Sequence, residues 1–317
     1  MTSAVIASLG ELLVEFVCTE QGGHNLRPAP YVGPFPSGAP GIFIDQAARI
    51  GGRAIFAGAV GDDAFGTVLL NRLAASGVSQ SLIRVVPMMP TGSAFVSYNP
   101  DGSRDFVFNI AHSAASRFPD GSQTAQAFVQ AGTTVLHISG STLGNPDMRV
   151  RALDMCRMLH AQGVAISIDP NIRTELMADA GYIETLRALI AMAAYVLPSD
   201  ADADLLFAGE AFEDWAPRLI AGGARVVVLK RGAAGCRALS ADGQDLTLPA
   251  HPVQVVDPTG AGDCFCATFV TLLENETDMP AALRSANAAG ALAVSRLGPM
   301  EGNSTMAEIA AFLAGAA

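Results

Sequence analysis

Apolar residues recur along this chain in two rhythms. Near-continuous apolar runs occur at AVIASL (4–9), RAIFAGAV (53–60), TTVLHIS (133–139), VAISID (164–169), AAYVLP (193–198) and RVVVLK (225–230). Their shortness and lack of alternation predict strands covered on both faces. Helical spacing appears between them, at FIDQAARIG (43–51), FGTVLLNRLAASG (65–77), PDMRVRALDMCRMLHAQG (146–163) and IETLRALIAMAA (183–194). Alternation of strand and helix predicts an α/β protein with a parallel sheet. The tail reads as three helices, at 261–275, 279–296 and 304–314.

One region departs from this rhythm. TGSAFVSYNPDGSRDFVFNI (91–110) alternates apolar and polar residues around Asn99-Pro100-Asp101-Gly102, a turn signal. It predicts a β-hairpin with one wet face. The Gly- and Pro-rich stretch from Cys18 to Pro36 goes with it. Together, about 11–36 and 91–110 are expected to form a small β flap on an α/β body, and such inserts often act as lids over ligands; a plain edge hairpin is the competing reading. With no linker or internal repeat, residues 1–317 read as a single domain. Asp62-Asp63 could be a metal pair, but an N-cap for the helix starting near Phe65 is the simpler expectation.

Composition narrows the class. The chain has 317 residues, half of them hydrophobic, which suffices for a large core. A net charge of −11 without basic clusters argues against nucleic acid as a partner. Cys18, Cys156, Cys236, Cys264 and Cys266 form an odd, scattered set without zinc spacing, read as reduced core thiols. Cys264 and Cys266, two apart on a helix, cannot share a face. The N-terminal segment has glutamates and no basic region, unlike a signal peptide, and no run reaches the roughly 18 apolar residues of a membrane span. These features predict a soluble, cytoplasmic protein with no membrane partner.

The chemistry concentrates in DPTGAGDCFCATF (257–269). Gly260, Ala261 and Gly262 leave the backbone bare where an almost wholly apolar helix begins. A helix N-terminus carries unpaired N–H groups and about half a positive charge. With small residues it becomes an anion hole suited to phosphate. A carboxylate there, Asp263, repels a resting phosphate. It makes sense if the phosphoryl group must move, because the attacking hydroxyl then needs a base. A plain Asp N-cap is the competing reading. The preceding Asp257-Pro258-Thr259 and the buried helix that follows argue against it.

This stretch resembles the C-terminal signature of the ribokinase family, the PfkB-type carbohydrate kinases. The similarity continues in order along the chain, through GELLVEF (10–16), PSGAP (36–40), GAVGDDAFG (58–66), DPNIR (169–173), VVVLKRGAAG (226–235) and ANAAGALAVSRLGPM (286–300). The resemblance implies a ribokinase-like three-layer αβα Rossmann-type sandwich with a small β-sheet lid. It implies ATP and Mg²⁺ as cofactors, K⁺ as an added cation, and transfer of the γ-phosphate to a primary hydroxyl of a sugar. Asp263 would be the base and Gly260, Ala261 and Gly262 the anion hole. Glu15, Gly38, Ala39 and Arg173 would meet the sugar. Ser199, Lys230, Gly232, Gly235 and Asn287 would lie on the nucleotide side, although a lysine ending a buried strand can simply snorkel. Asp202 and Asp257 would serve the metals. Similar proteins form dimers through their lids, and the apolar residues of 93–108 permit a homodimer here.

Some positions depart from the family pattern. Ser199-Asp200-Ala201-Asp202 replaces the usual NxxE segment, with Asp202 for the Glu. Ile42 stands where a sugar-binding Asn is common, and Glu15 where an Asp is common. These changes direct the expectation away from ribose and adenosine, towards a six-carbon ketose or keto-acid of the tagatose, fructose or 2-keto-3-deoxygluconate type. A non-catalytic sugar sensor on the same fold is the alternative. A Rossmann oxidoreductase fits poorly, because its glycine turn belongs after the first strand.

Overall fold

The computed structural model describes residues 3–20, 22, 25–100, 103–117 and 120–315. Among them the strands, in chain order, are β1 (Val5–Leu9), β2 (Leu13–Cys18), β3 (Tyr31–Ser37), β4 (Arg53–Gly61), β5 (Ser79–Val86), β6 (Gly92–Tyr98) and β7 (Arg104–Asn109). They continue with β8 (Val135–Ser139), β9 (Ala165–Asp169), β10 (Tyr195–Val196), β11 (Val226–Lys230), β12 (Cys236–Ser240) and β13 (Asp245–Leu248). The helices are α1 (Ala39–Arg49), α2 (Ala64–Ser76), α3 (Gly121–Gln130), α4 (Pro146–Ala161), α5 (Ala180–Met192), α6 (Asp200–Phe207), α7 (Phe212–Ala221), α8 (Ala261–Glu274), α9 (Met279–Val294) and α10 (Met306–Gly315).

Nine strands form one sheet in the order β13-β12-β11-β10-β9-β8-β1-β4-β5. The continuously apolar strands β1, β8 and β9 are buried at every position, as a doubly covered sheet requires. Phe43, Phe265, Phe269 and Leu283 from α1, α8 and α9 fill the core on one face. Phe128, Met155, Tyr182, Leu189 and Trp215 from α3, α4, α5 and α7 fill the other. The sheet is parallel, as the strand–helix alternation predicts, except at one edge. β12 and β13 are antiparallel and finish one edge as a hairpin. Such an edge needs no crossover helix, so strand–helix alternation gives no hint of it.

Local signals explain the helix ends. Asp63 caps α2, its carboxylate accepting from the Gly66 N–H at 2.8 Å and from Thr91, so it is a cap and not half of a metal pair. Gly77 closes α2 in the left-handed conformation. α1 starts at Ala39, earlier than its apolar spacing suggests, with Pro40 in its first turn. All five cysteines are free and buried. No described helix is long and apolar enough to cross a membrane.

A second, four-stranded sheet has the order β3-β2-β6-β7. Its β6–β7 hairpin pairs Ser93 with Asn109 through to Tyr98 with Arg104. Asp101 and Gly102 of the expected turn lie outside the described residues. Phe16 stacks on Phe95 at 5.1 Å and meets Phe65 of α2 edge-on at 5.6 Å, which anchors this sheet to the body. Strand order reverses at β1, between β4 and β8. A crevice opens outside the carboxyl ends of the strands at such a switch point.

Candidate active site

The loops that leave the carboxyl ends of β1, β8, β9 and β11 meet the start of α8 around a cleft of about 1210 Å³. Glu15, Gly38, Ala39, Arg173, Ser199, Asp202, Lys230, Gly232, Gly235, Gly260, Ala261, Gly262, Asp263 and Asn287 all line it. Of the site residues expected from sequence, Asp257 alone is not on its wall.

The start of α8 shows why its sequence is so bare. Gly260, the N-cap residue, has φ +86°, and a Cβ there would lie 2.5 Å from the Pro299 carbonyl oxygen. Only glycine fits such a position. No side chain caps the helix, so its first N–H groups are free to bind a ligand. From Asp263 to Leu272 every residue of α8 is buried, which fixes the helix in place. Asp263 is 8 % exposed, and its carboxyl takes no hydrogen bond from the described residues. Burial, then the charge of Asp169, push its pKa up to about 7, against the pull of Lys230 and Arg173.

Two further carboxyls stand at the other end. Glu15 accepts from the Ser37 hydroxyl at 3.2 Å, while its Oε1 is buried without a partner among the described residues. Burial, then the nearby Asp257 charge, raise it to about 7. Glu11 accepts from the Ser141 and Thr142 hydroxyls at 2.7 and 2.9 Å, and burial raises its pKa as well. Gly38 (φ +104°) turns where an added Cβ would lie 2.5 Å from the Glu11 carbonyl oxygen. Leu13, Ile42, Phe106 and Phe108 give this end an apolar wall.

The remaining residues sit differently from one another. Ser199 and Asp202 form a reciprocal capping box at the start of α6, and Asp202 Oδ1 also accepts from the Ile172 N–H at 2.8 Å. Asn287 donates to the Pro249 carbonyl at 3.1 Å. Gly235 (φ +88°) turns where a Cβ would lie 2.0 Å from the Leu248 carbonyl oxygen. Lys230 does not snorkel; its ammonium turns inward onto Asp169. Asp257 is fully buried, with Oδ1 accepting from Tyr98 (2.7 Å) and the Thr259 N–H (2.9 Å), and Oδ2 from the Gly298 N–H (3.0 Å). Arg104 of β7 donates to the Thr259 hydroxyl at 2.9 Å. The small sheet therefore touches the turn that leads into α8. Sequence reasoning did not single out Asp169, Asn171 or Tyr98, although DPNIR contains two of them.

Comparison with known proteins agrees with this architecture. A family model described as "pfkB family carbohydrate kinase" matches residues 3–306. The chain is 28% identical to "Fructokinase-1" of Oryza sativa subsp. japonica over 321 residues, covering 97% of each. It is also 28% identical to "Fructokinase-2" of Solanum lycopersicum, covering 100% of this chain and 98% of the relative. Among solved structures, a "putative Ribokinase II in complex with ATP and Mg+2 from E.coli" superposes with a TM-score of 0.91 at 37% identity, covering 98% of this chain and 99% of that one.

Proposed function

The chain belongs to the pfkB family of carbohydrate kinases and is thus a sugar kinase of ribokinase-like fold. From that premise we propose that it moves the γ-phosphoryl group of MgATP to a primary hydroxyl of a six-carbon ketose or keto-acid, with Asp263 as the base. The tagatose, fructose and 2-keto-3-deoxygluconate types are the candidate acceptors. The fructokinase relatives support a hexose-sized acceptor. One observation carries the reading: Asp263 is a buried carboxyl, free of hydrogen bonds from the described residues, in the first turn of an uncapped helix on the cleft wall. A pKa near 7 leaves it substantially ionised at neutral pH and still basic enough to accept a hydroxyl proton.

The division of labour follows from position. Glu15, Gly38, Ala39 and Arg173 receive the sugar. Ser199, Gly232, Gly235 and Asn287 line the nucleotide end. Amides at Gly260, Ala261 and Gly262 hold the charge that develops on the transferring group. The second sheet closes as a lid, so that the sugar and not water accepts the phosphoryl group.

The neighbour with ATP and Mg²⁺ supports the same cofactors here. No cluster of three or more metal-binding side chains occurs among the described residues. That fits Mg²⁺, which is held mainly by phosphate oxygens and water. The backbone and hydroxyl donors around Asp202 leave it placed to meet metal-bound water. Asp257 would help to hold a K⁺ ion, since its Oδ2 accepts a single hydrogen bond and keeps lone-pair capacity.

The test is a panel of ketoses, aldoses and keto-acids with MgATP, read by ADP release. Turnover with one or more six-carbon acceptors is expected. Absence of sugar-dependent ADP release across the panel would refute the proposed acceptor class.

A further inference from the structure

Lys230 lies behind the anion hole and not inside it. β11 ends at Lys230 and β9 ends at Asp169, with β10 between them. The Lys230 ammonium donates to Asp169 Oδ2, and its side chain is 12% exposed against 3% for Asp169. Cys266 of α8 touches both partners, its sulfur 3.5 Å from each. A Cβ added to Gly262 would lie 3.3 Å from Lys230 Nζ and 3.8 Å from Asp169 Oδ2. The ion pair therefore abuts the bare backbone one residue before Asp263.

This placement is costly for stability alone. A cation near a helix N-terminus is disfavoured by the macrodipole, and buried ion pairs often stabilise less than apolar residues of the same volume. Lys230 also already has an anion, so it offers ATP no unpaired ammonium. We propose that Lys230 is a positioning residue that neutralises Asp169 and so keeps Asp263 in its proton-accepting form. In this arrangement Lys230 works through Asp169 and not as a phosphate ligand. The inference rests on Asp263 being the base.

The surrounding charges support this. Asp169 and Glu11 oppose ionisation of Asp263, while Lys230 and Arg173 favour it. The flanking thiols Cys264 and Cys266 are pushed well up by burial and stay neutral. Burial works against a charged Lys230, yet the Asp169 charge outweighs it and the net shift is upward. Without the ammonium, Asp169 and Asp263 would compete for one proton beside the same turn.

Three variants test the pair: Lys230→Met, Asp169→Asn and the double variant. Each is assayed for kcat, KM for ATP, the pH profile of kcat and thermal melting. Lys230→Met should move the acid limb up by roughly one unit and so lower kcat about fivefold at pH 7, with KM for ATP within about threefold. Asp169→Asn should move that limb down. The double variant, with both charges gone, should return it to within about half a unit of wild type and recover most of kcat. A rise of about tenfold or more in KM for ATP with an unmoved limb in Lys230→Met would make Lys230 a phosphate ligand and overturn the proposal. So would a double variant whose limb stays where Lys230→Met put it. If Lys230→Met does not fold, the double variant and Asp169→Asn decide by the same limb. Failure of the base assignment is separable, because Asp263→Asn would then keep near-normal turnover whatever these variants do.

Discussion

Replacing Asp263 by Asn should make the enzyme both more stable and nearly inactive, and the stability change should depend on pH. Asp263 rises from an ordinary 3.8 to about 7 on folding, with burial as the leading cause. A carboxyl that binds its proton more tightly in the native state favours that state at low pH. It withdraws this support as pH climbs from about 4 to about 7. At 1.36 kcal/mol per unit, the full shift corresponds to about 4 kcal/mol of destabilisation at pH 8, and structural relaxation would bring the observed value to the order of 2–4 kcal/mol. Asn cannot ionise and fills almost the same space. Chemical denaturation should therefore show the variant more stable than wild type at pH 8, with the gap closing towards pH 4. In the same samples kcat should fall roughly 10²–10⁴-fold while ATP binding persists. A gap that does not change with pH, or a variant less stable at pH 8, would refute the electrostatic argument. Near-normal turnover would remove Asp263 from the chemistry.

Other outcomes follow from the same geometry. Gly262→Val places a branched side chain against Lys230 and Asp169, and kcat/KM should drop roughly 10–100-fold in steady-state assays, whereas unchanged kinetics would mean that phosphate does not bind at this turn. Glu15, raised to about 7, should serve the sugar best when ionised, so KM for the sugar should fall from pH 6 to pH 8. In Glu15→Gln that slope should vanish and KM should rise about tenfold; a persisting slope would clear Glu15 of the role. Asp45 is fully buried between Arg49 and Arg72 and accepts from Asn303, so Asp45→Ala should cost about 3–5 kcal/mol in urea denaturation, and a cost under about 1 kcal/mol would count against that network.

What could be read in the sequence was whatever local chemistry dictates. The glycines of 260–262, the carboxyl at 263 and the all-apolar helix behind them carry their meaning within a dozen residues. So does Asp63, whose cap partner Gly66 is three residues away. The pairs that finish the site are not local. Glu11 meets Ser141 across 130 positions, Lys230 meets Asp169 across 61, and Tyr98 meets Asp257 across 159. Such contacts are made by strand order, which apolar periodicity does not encode. α3 and α6 escaped notice for a related reason. GSQTAQAFVQ and DADADLLF are only ten and eight residues long, too short for their periodicity to stand out, and packing against the body holds them in place.

Tyr98 and Arg104 of the β6–β7 hairpin grip Asp257 and Thr259 directly upstream of α8. An engineer who swaps that hairpin to change which carbohydrate is accepted would also be disturbing the turn proposed to seat the nucleotide's terminal phosphorus. Grafts that keep a phenol at 98 and a guanidinium at 104 should therefore retain turnover more often than grafts chosen for sugar contacts alone.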